Sequence, residues 1–247
     1  MSETNIPLQQ QRMLESSSPK YPSARGVDIY SKITSRIKVS ISETFFDSQI
    51  CALEGLPGGG KTSILQKLKK LDHVLCIDQI LPGNPDSDED LDFDFILNSD
   101  KLKSQICYNS VRKTIVLDRS CLSTIAYHWS FDKRYSTQTL PSTLNVYKKC
   151  LSIRELFIPE WIIILQTSTE LSLIRKNRFV KANQASINPW SDANFLNWMQ
   201  KFYLNLSDRT FVERLLGEKF TSKILMLDTI NNSVEENYST MLKLLHL

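Results

Sequence analysis

Short apolar runs alternate with longer amphipathic segments along the chain from residue 48 onward. Most of the runs are apolar throughout and bounded by turn signals, as is typical of strands covered on both faces. They cover residues 48–54, 73–78, 113–118, 160–166 and 222–228. Helical spacing fits residues 61–72, 97–110, 120–131, 141–156, 169–181, 192–216 and 232–245. The alternation predicts an α/β fold, a five-stranded parallel sheet flanked by helices.

The first 47 residues follow a different pattern. Residues 1–25 are rich in Gln, Ser and Pro and predict a flexible leader. Residues 26–47 predict an amphipathic helix, because one apolar residue recurs at every fourth position. These residues are Ile29, Ile33, Ile37, Ile41 and Phe45. We expect this helix to pack on the domain formed by residues 48–247; a role at a membrane surface is the alternative.

Composition favours a soluble, cytoplasmic globular protein. Of the 247 residues, 41% are hydrophobic, which is enough for a substantial core. A net charge of only +3 makes a nucleic-acid partner unlikely. The five cysteines are odd in number and form no C-x-x-C pair, so reduced thiols are expected. Neither a signal peptide nor a membrane-spanning run is present in the sequence, and a homodimer is left open.

A glycine-rich segment, "GLPGGGKT" at residues 55–62, matches G-x-x-x-x-G-K-[ST] between a predicted strand and a predicted helix. The backbone N–H groups of such a loop surround a phosphate at the helix N-terminus. Lys61 is expected to reach the β- and γ-phosphates of ATP and Thr62 to bind Mg²⁺. The other candidate nucleotide-binding residues here are Gly55, Gly58, Gly59, Gly60 and Ser63.

An Asp-Arg pair, Asp118 and Arg119, ends the third predicted strand. In an open parallel sheet this edge forms the crevice that binds ligands. Asp118 is expected to hold Mg²⁺ and Arg119 to bind a phosphoryl group, with a purely structural ion pair as the alternative.

These motifs resemble those of the thymidylate kinase and deoxynucleoside kinase family. "LEGLPGGGKTS" is similar to the start of these enzymes, and "DRSCLSTIAY" is similar to their Asp-Arg motif, with Ser120 closer to the deoxynucleoside kinases. The resemblance covers roughly residues 48–245 and implies a P-loop NTPase fold of the nucleoside/nucleotide kinase type, with ATP and Mg²⁺ as cofactors. His128 stands where thymidylate kinases usually carry a Gln that reads the base.

The resemblance also implies a lid and an acceptor site. The lid would lie near residues 175–190, with Arg178 closing over the phosphates and Arg175 contributing to nucleotide binding; a solvated helix face is the alternative for Arg175. The second predicted strand ends in "CIDQILPGNP" without the arginine that thymidylate kinases use to grip a monophosphate. Asp78 is therefore the candidate catalytic base for a hydroxyl acceptor, or else a turn or cap carboxylate.

Several aromatic residues and one acidic run have two interpretations each. Four aromatic residues are candidates for stacking on a base: Tyr108, Tyr127, Trp129 and Phe131. Four others predict a helix that packs on the core: Trp190, Trp198, Phe202 and Tyr203. The acidic run at residues 86–95 predicts a solvated loop, with a metal site as the alternative.

The sequence thus predicts an ATP-dependent phosphotransferase that acts on a nucleoside or nucleoside monophosphate, with a nucleoside-like hydroxyl favoured. The alternatives are a non-catalytic nucleotide sensor or scaffold of the same fold, and a kinase for another small-molecule or polynucleotide hydroxyl.

Overall fold

The five apolar runs form one parallel sheet in the computed structural model, which describes residues 49–79, 93–112, 114–177, 189–217 and 219–246. The strands are β1 (Gln49–Glu54), β2 (Val74–Ile77), β3 (Thr114–Asp118), β4 (Trp161–Gln166) and β5 (Lys223–Asp228), in the order β2-β3-β1-β4-β5. Each predicted strand is within one residue of its observed bounds. The α/β fold class with a five-stranded parallel sheet is confirmed.

Eight helices lie within the described ranges. They are α1 (Lys61–Leu68), α2 (Phe93–Tyr108), α3 (Cys121–Tyr135), α4 (Thr139–Ser152), α5 (Thr169–Asn177), α6 (Ala193–Asn205), α7 (Arg209–Leu216) and α8 (Val234–Leu245). A short 3₁₀ helix, Pro189–Ser191, precedes α6.

Two helix predictions were wrong in a way that local chemistry explains. The single helix predicted over 192–216 is two helices, because the Asp208 side chain accepts a hydrogen bond from the Thr210 backbone N–H and caps a new helix at Arg209. The helix predicted from residue 97 begins at Phe93, so the end of the acidic run at residues 93–95 is helical instead of a loop. The rest of that run lies outside the described residues.

The sheet is covered on both faces, as the uninterrupted apolar runs predict. Five of the six residues of β1 are buried, because β1 lies between β3 and β4. Along β4, Ile162 and Ile164 join the core that contains residues of α3, α4, α6 and α7, whereas Ile163 and Leu165 join the core with α1 and α8. Alternate residues of one strand thus belong to two cores.

The structure bears on the predictions for the cysteines and for membrane-spanning helices, whereas several predicted segments lie outside the described residues. All five cysteines are unpaired and four are buried, as expected of reduced thiols. No helix among the described residues is long and apolar enough to cross a membrane. The predicted leader, the predicted helix at 26–47, Arg178 and lid residues 178–188 lie outside the described ranges.

Parallel pairing brings the two candidate motifs to one edge of the sheet. Leu53 is the register partner of Asp118, and the next residue, Glu54, is the partner of Ile164. The chain leaves β1 into the loop at residues 55–60 and leaves β3 into Arg119 and Ser120. The two segments that carry the candidate chemistry therefore leave adjacent strands in the same direction.

Candidate active site

The loop at residues 55–60, here called the glycine loop, joins β1 to α1 in a conformation that needs glycine. Gly55 has φ of 122°, and a Cβ added there would lie 2.5 Å from the backbone oxygen of Leu165. Gly58 has φ of 71°, and its added Cβ would lie 2.9 Å from the Cβ of Arg175. Both positions exclude larger residues by backbone conformation and by close contact.

Lys61 lies at the start of α1 and is buried, with 7% of its surface exposed. Its Nζ donates to the backbone oxygens of Gly55 at 3.0 Å and Leu56 at 2.9 Å. Burial lowers the pKa of Lys61 to about 7, and the nearby Arg119 guanidinium contributes to the same shift. These two hydrogen bonds fold the Lys61 side chain back over the glycine loop. They keep its amino group beside the backbone that would surround a phosphate.

Glu54, the last residue of β1, is completely buried and is the acceptor at the centre of a hydrogen-bond network. Its Oε1 accepts from the Ser120 backbone N–H at 2.8 Å and from the Ser120 hydroxyl at 2.7 Å. Its Oε2 accepts from the Ser123 hydroxyl and, at 3.4 Å, from the Tyr203 hydroxyl. The carboxylate thus joins the end of β1 to the start of α3 and to α6.

Arg119 has a positive φ of 66°, which is rare for a residue other than glycine. Its backbone N–H donates to Leu53 O at 3.1 Å, and its Nη1 donates to Gly55 O at 3.2 Å. The same nitrogen donates to the Ser123 and Tyr203 hydroxyls at 3.1 and 3.3 Å. These contacts place the guanidinium beside the glycine loop and beside the Glu54 network.

Asp118 and Thr62 have the donor chemistry that Mg²⁺ prefers. The Oδ1 atom of Asp118 is buried and has no hydrogen-bond partner among the described residues. Thr62 is exposed on the first turn of α1. Magnesium binds one or two protein oxygens and completes its shell with water and phosphate oxygens, so this pair fits the ion. No group of three His, Cys, Asp or Glu side chains suited to a metal occurs in the described ranges.

A cavity of about 350 Å³ lies against the glycine loop. Arg175 of α5 forms part of its wall and bridges two loops, donating to Gly58 O at 3.1 Å and to Thr229 O at 3.0 Å. Gly58, Gly59, Gly60 and Ser63 line the same cavity, together with Asn232, Val234 and Asn237 at the start of α8. Five predicted nucleotide-binding residues, Arg175 among them, therefore line one space.

Asp78 follows β2 at the same edge of the sheet, but its carboxylate is directed to an exposed ion pair. Its Oδ2 lies 2.6 Å from the Nζ of Lys69, and 62% of the Asp78 side chain is exposed. The structure thus brings together the glycine loop, Lys61, Asp118 and Arg119, whereas Asp78 stands apart from the Glu54 network.

Two aromatic residues, Trp129 and Tyr203, differ from their predicted roles in base stacking and in core packing. Trp129 packs against Trp198, Phe202 and Phe211, so it belongs to the core instead of a stacking platform. Tyr203, predicted as a core residue, is buried but also bonds Glu54, Ser123 and Arg119 through its hydroxyl.

His128 lies beside Thr139, with its Nδ1 3.0 Å from the Thr139 hydroxyl. That hydroxyl donates to Asp132, so it accepts from Nδ1 and leaves Nε2 unprotonated in the neutral ring. Burial lowers the pKa of His128 and favours this neutral form.

Glu54, Tyr203 and Lys103, whose Nζ donates to the backbone oxygens of Asp118 and Arg119, contact the candidate site, and none of them was predicted as a site residue. The only sequence signal for Glu54 is its place before the glycine loop. Tyr203 and Lys103 lie on helices far away in sequence and carry no local signal.

Comparison with known proteins finds solved structures of similar fold but no relative by sequence. No protein-family model and no curated protein matches the chain. A structure of deoxyadenosine kinase from M. mycoides with the product dCMP and a flexible dCDP is 14% identical, with a TM-score of 0.59 over 80% of this chain and 99% of that chain. The same kinase with dATP is 15% identical, with a TM-score of 0.59 over 81% and 100% of the two chains. With dCTP the values are 12% identity and a TM-score of 0.54 over 80% and 99%.

At these identities the likeness concerns the fold alone. The chain therefore has the P-loop fold of deoxynucleoside kinases, which confirms the expected fold of the nucleoside/nucleotide kinase type.

Proposed function

We propose that this protein is an ATP-dependent, Mg²⁺-requiring kinase that transfers the γ-phosphoryl group to a hydroxyl of a nucleoside. One observation carries the proposal: the glycine loop, Lys61, Asp118 and Arg119 meet at the carboxyl edge of a sheet with the fold of deoxynucleoside kinases. A phosphate loop alone does not distinguish a kinase from other nucleotide-binding proteins. The arginine beside the loop favours phosphoryl transfer, because a guanidinium stabilises the charge that develops on the transferred group.

Each residue has a role that follows from its position. Backbone N–H groups of the glycine loop and the start of α1 bind phosphate oxygens. Lys61 exchanges its carbonyl partners for the β- and γ-phosphates, and Arg119 supplies a second cation across the loop. Thr62 and Asp118 would hold Mg²⁺, which neutralises phosphate charge when it is bound. Arg175 forms the wall of the nucleotide cavity, and Arg178 is the lid residue of this proposal.

The acceptor is proposed to be a nucleoside hydroxyl instead of a monophosphate. An alcohol acceptor benefits from a carboxylate that takes its proton, and Asp78 at the end of β2 supplies one after it releases Lys69. A monophosphate acceptor, as in thymidylate kinases, needs a cation there, and the segment after β2, "DQILPGNP", has none. Two solved structures of similar fold are of a deoxyadenosine kinase with bound nucleotides, which supports the same substrate class.

The test is an acceptor panel. The protein is incubated with ATP and Mg²⁺ and, in turn, with deoxynucleosides, ribonucleosides, nucleoside monophosphates and a 5′-hydroxyl oligonucleotide, and ADP release is measured. We expect release with at least one nucleoside and none from Lys61→Ala, which lacks the phosphate-binding cation. ADP release only with monophosphates would contradict the acceptor assignment. Tight ATP binding without release for any acceptor would favour a nucleotide sensor.

A further inference from the structure

Lys103 is a buried cation close to the candidate site that the proposed transfer does not use directly. It lies on α2 with 4% of its surface exposed. Its Nζ donates to the backbone oxygen of Asp118 at 2.8 Å and to that of Arg119 at 3.2 Å. One ammonium group thus binds two successive carbonyls at the turn that carries the Asp-Arg motif.

Asp100 provides a buried negative charge near this cation. Asp100 precedes Lys103 by three residues on α2, so both lie on the same side of the helix, and each is at most 8% exposed. The Oδ2 atom of Asp100 accepts from the Tyr147 hydroxyl at 2.9 Å and from the Thr124 hydroxyl at 3.4 Å. A buried lysine charge is costly unless a counter-charge is near, and Asp100 supplies it.

The turn that Lys103 binds is strained. A left-handed conformation at a residue other than glycine is strained and persists only where the surroundings enforce it. Arg119, with φ of 66°, is such a residue. The backbone N–H of Arg119 donates to Leu53 O. The carbonyl before it, of Asp118, and its own carbonyl both accept hydrogen bonds from the Nζ of Lys103. Rotation of the backbone to an ordinary conformation would turn one of these carbonyls away from Nζ.

We propose that Lys103 is a positioning residue for the phosphoryl transfer proposed above. Its ammonium group holds the carbonyls of Asp118 and Arg119 and so keeps Arg119 in the left-handed conformation that directs its guanidinium onto Gly55. Asp100 serves as the counter-ion of Lys103. The role in transfer rests on the proposed function, whereas the backbone conformation can be tested without it.

The variant Lys103→Met tests the role, because Met has a similar length without the donor. Lys101→Met is the matched control, since Lys101 is on the same helix but forms a more exposed ion pair with Glu155 at 2.6 Å. We expect Lys103→Met to lower kcat about 10- to 100-fold, the usual cost of a small misplacement of a catalytic group, with the KM for ATP little changed. Lys101→Met should keep the parent kcat. An equal loss in both variants, or no loss in Lys103→Met, would overturn the proposal.

A double-variant cycle separates positioning from general stability. If Lys103 acts through Arg119, adding Lys103→Met to Arg119→Ala should lower kcat no further. The same fold-loss in both backgrounds would show that Lys103 acts on the fold instead of on Arg119. If Lys103→Met does not fold, because the buried Asp100 then lacks a counter-charge, the double variant Asp100→Asn/Lys103→Met removes both charges. This double variant then replaces Lys103→Met in the cycle.

Crystal structures of the parent, Lys103→Met and Lys101→Met give a readout that needs no activity. We expect a positive φ at Arg119 in the parent and in Lys101→Met, and a negative φ in Lys103→Met. A positive φ in all three would overturn the proposal even if the protein is an active kinase. A parent without kinase activity would refute the proposed function, and the φ comparison would still decide whether Lys103 positions Arg119.

Discussion

Removal of the Glu54 carboxylate should destabilise the protein far more than removal of a surface carboxylate. Glu54 is completely buried and accepts hydrogen bonds from the Ser120 N–H and from the hydroxyls of Ser120, Ser123 and Tyr203. In Glu54→Ala the hydroxyls of Ser123 and Tyr203, 3.2 Å apart, are able to bond each other. The Ser120 N–H has no such replacement and becomes a buried unpaired donor, at a cost of about 1–3 kcal/mol.

The lost charge adds to this cost, because the Glu54 carboxylate also favours the charged form of the buried Lys61 side chain. Breaking a buried charged network by removing one partner costs about 3–5 kcal/mol, and we expect Glu54→Ala to fall in that range. Glu54→Gln keeps an acceptor for Ser120 and gives the other two hydroxyls a donor. It exchanges charged for neutral hydrogen bonds and should cost about 1–3 kcal/mol.

Urea-induced unfolding measures these differences, and the four tryptophans provide a fluorescence signal. The control is Glu235→Ala, since the Glu235 side chain is 70% exposed and its pair with Lys67 should be worth less than about 1 kcal/mol. We expect the largest loss of stability in Glu54→Ala, a smaller loss in Glu54→Gln and the smallest in the control. If Glu54→Ala and Glu235→Ala lose the same stability, Glu54 does not organise the site.

Three further predictions concern the reaction. Burial lowers the pKa of Lys61 to about 7, so at pH 8 the free amine is mostly neutral. Bound phosphates favour its charged form, so ATP binding at pH 8 should take up protons, and calorimetry in buffers of different ionisation enthalpy measures this uptake. Asp78→Asn should lower kcat about 10²- to 10⁴-fold for a nucleoside acceptor and leave ATP affinity unchanged. Arg175→Ala should weaken ATP binding about 10- to 150-fold, since it removes a wall of the cavity and a charged donor worth about 1.5–3 kcal/mol.

Each of these has a clear contrary result. Lys61→Arg is the control for proton uptake, because arginine stays charged at every pH used. Equal uptake by this variant and the parent would show that another group takes the proton. Full activity of Asp78→Asn would remove Asp78 as the base, and unchanged ATP affinity in Arg175→Ala would place the nucleotide elsewhere.

The sheet and the phosphate-binding motif were predictable from the sequence because both depend on local patterns. Uninterrupted apolar runs identify strands buried on both faces, and the glycine loop is recognisable by its place between β1 and α1. The break between α6 and α7 also had a local signal, since Asp208 is a typical N-cap residue.

The supporting residues of the site were not predictable in this way. Tyr203 stands among aromatic residues at helical spacing, a pattern that usually marks a core helix, and only tertiary packing brings its hydroxyl to Glu54. Lys103 and Asp100 resemble the solvated charges of an amphipathic helix, and their burial depends on how α2 packs near β3. Contacts between residues far apart in sequence decide these roles.

Direct transfer of the γ-phosphoryl group tests the central claim most closely. The protein is incubated with Mg²⁺ and ATP labelled with ¹⁸O in the γ-phosphoryl group, together with a mixture of nucleosides, and the products are analysed by mass spectrometry. We expect a labelled nucleoside monophosphate from the parent protein and none from Lys61→Ala. Label found only in inorganic phosphate, or only in nucleoside diphosphates when monophosphates are supplied, would contradict it.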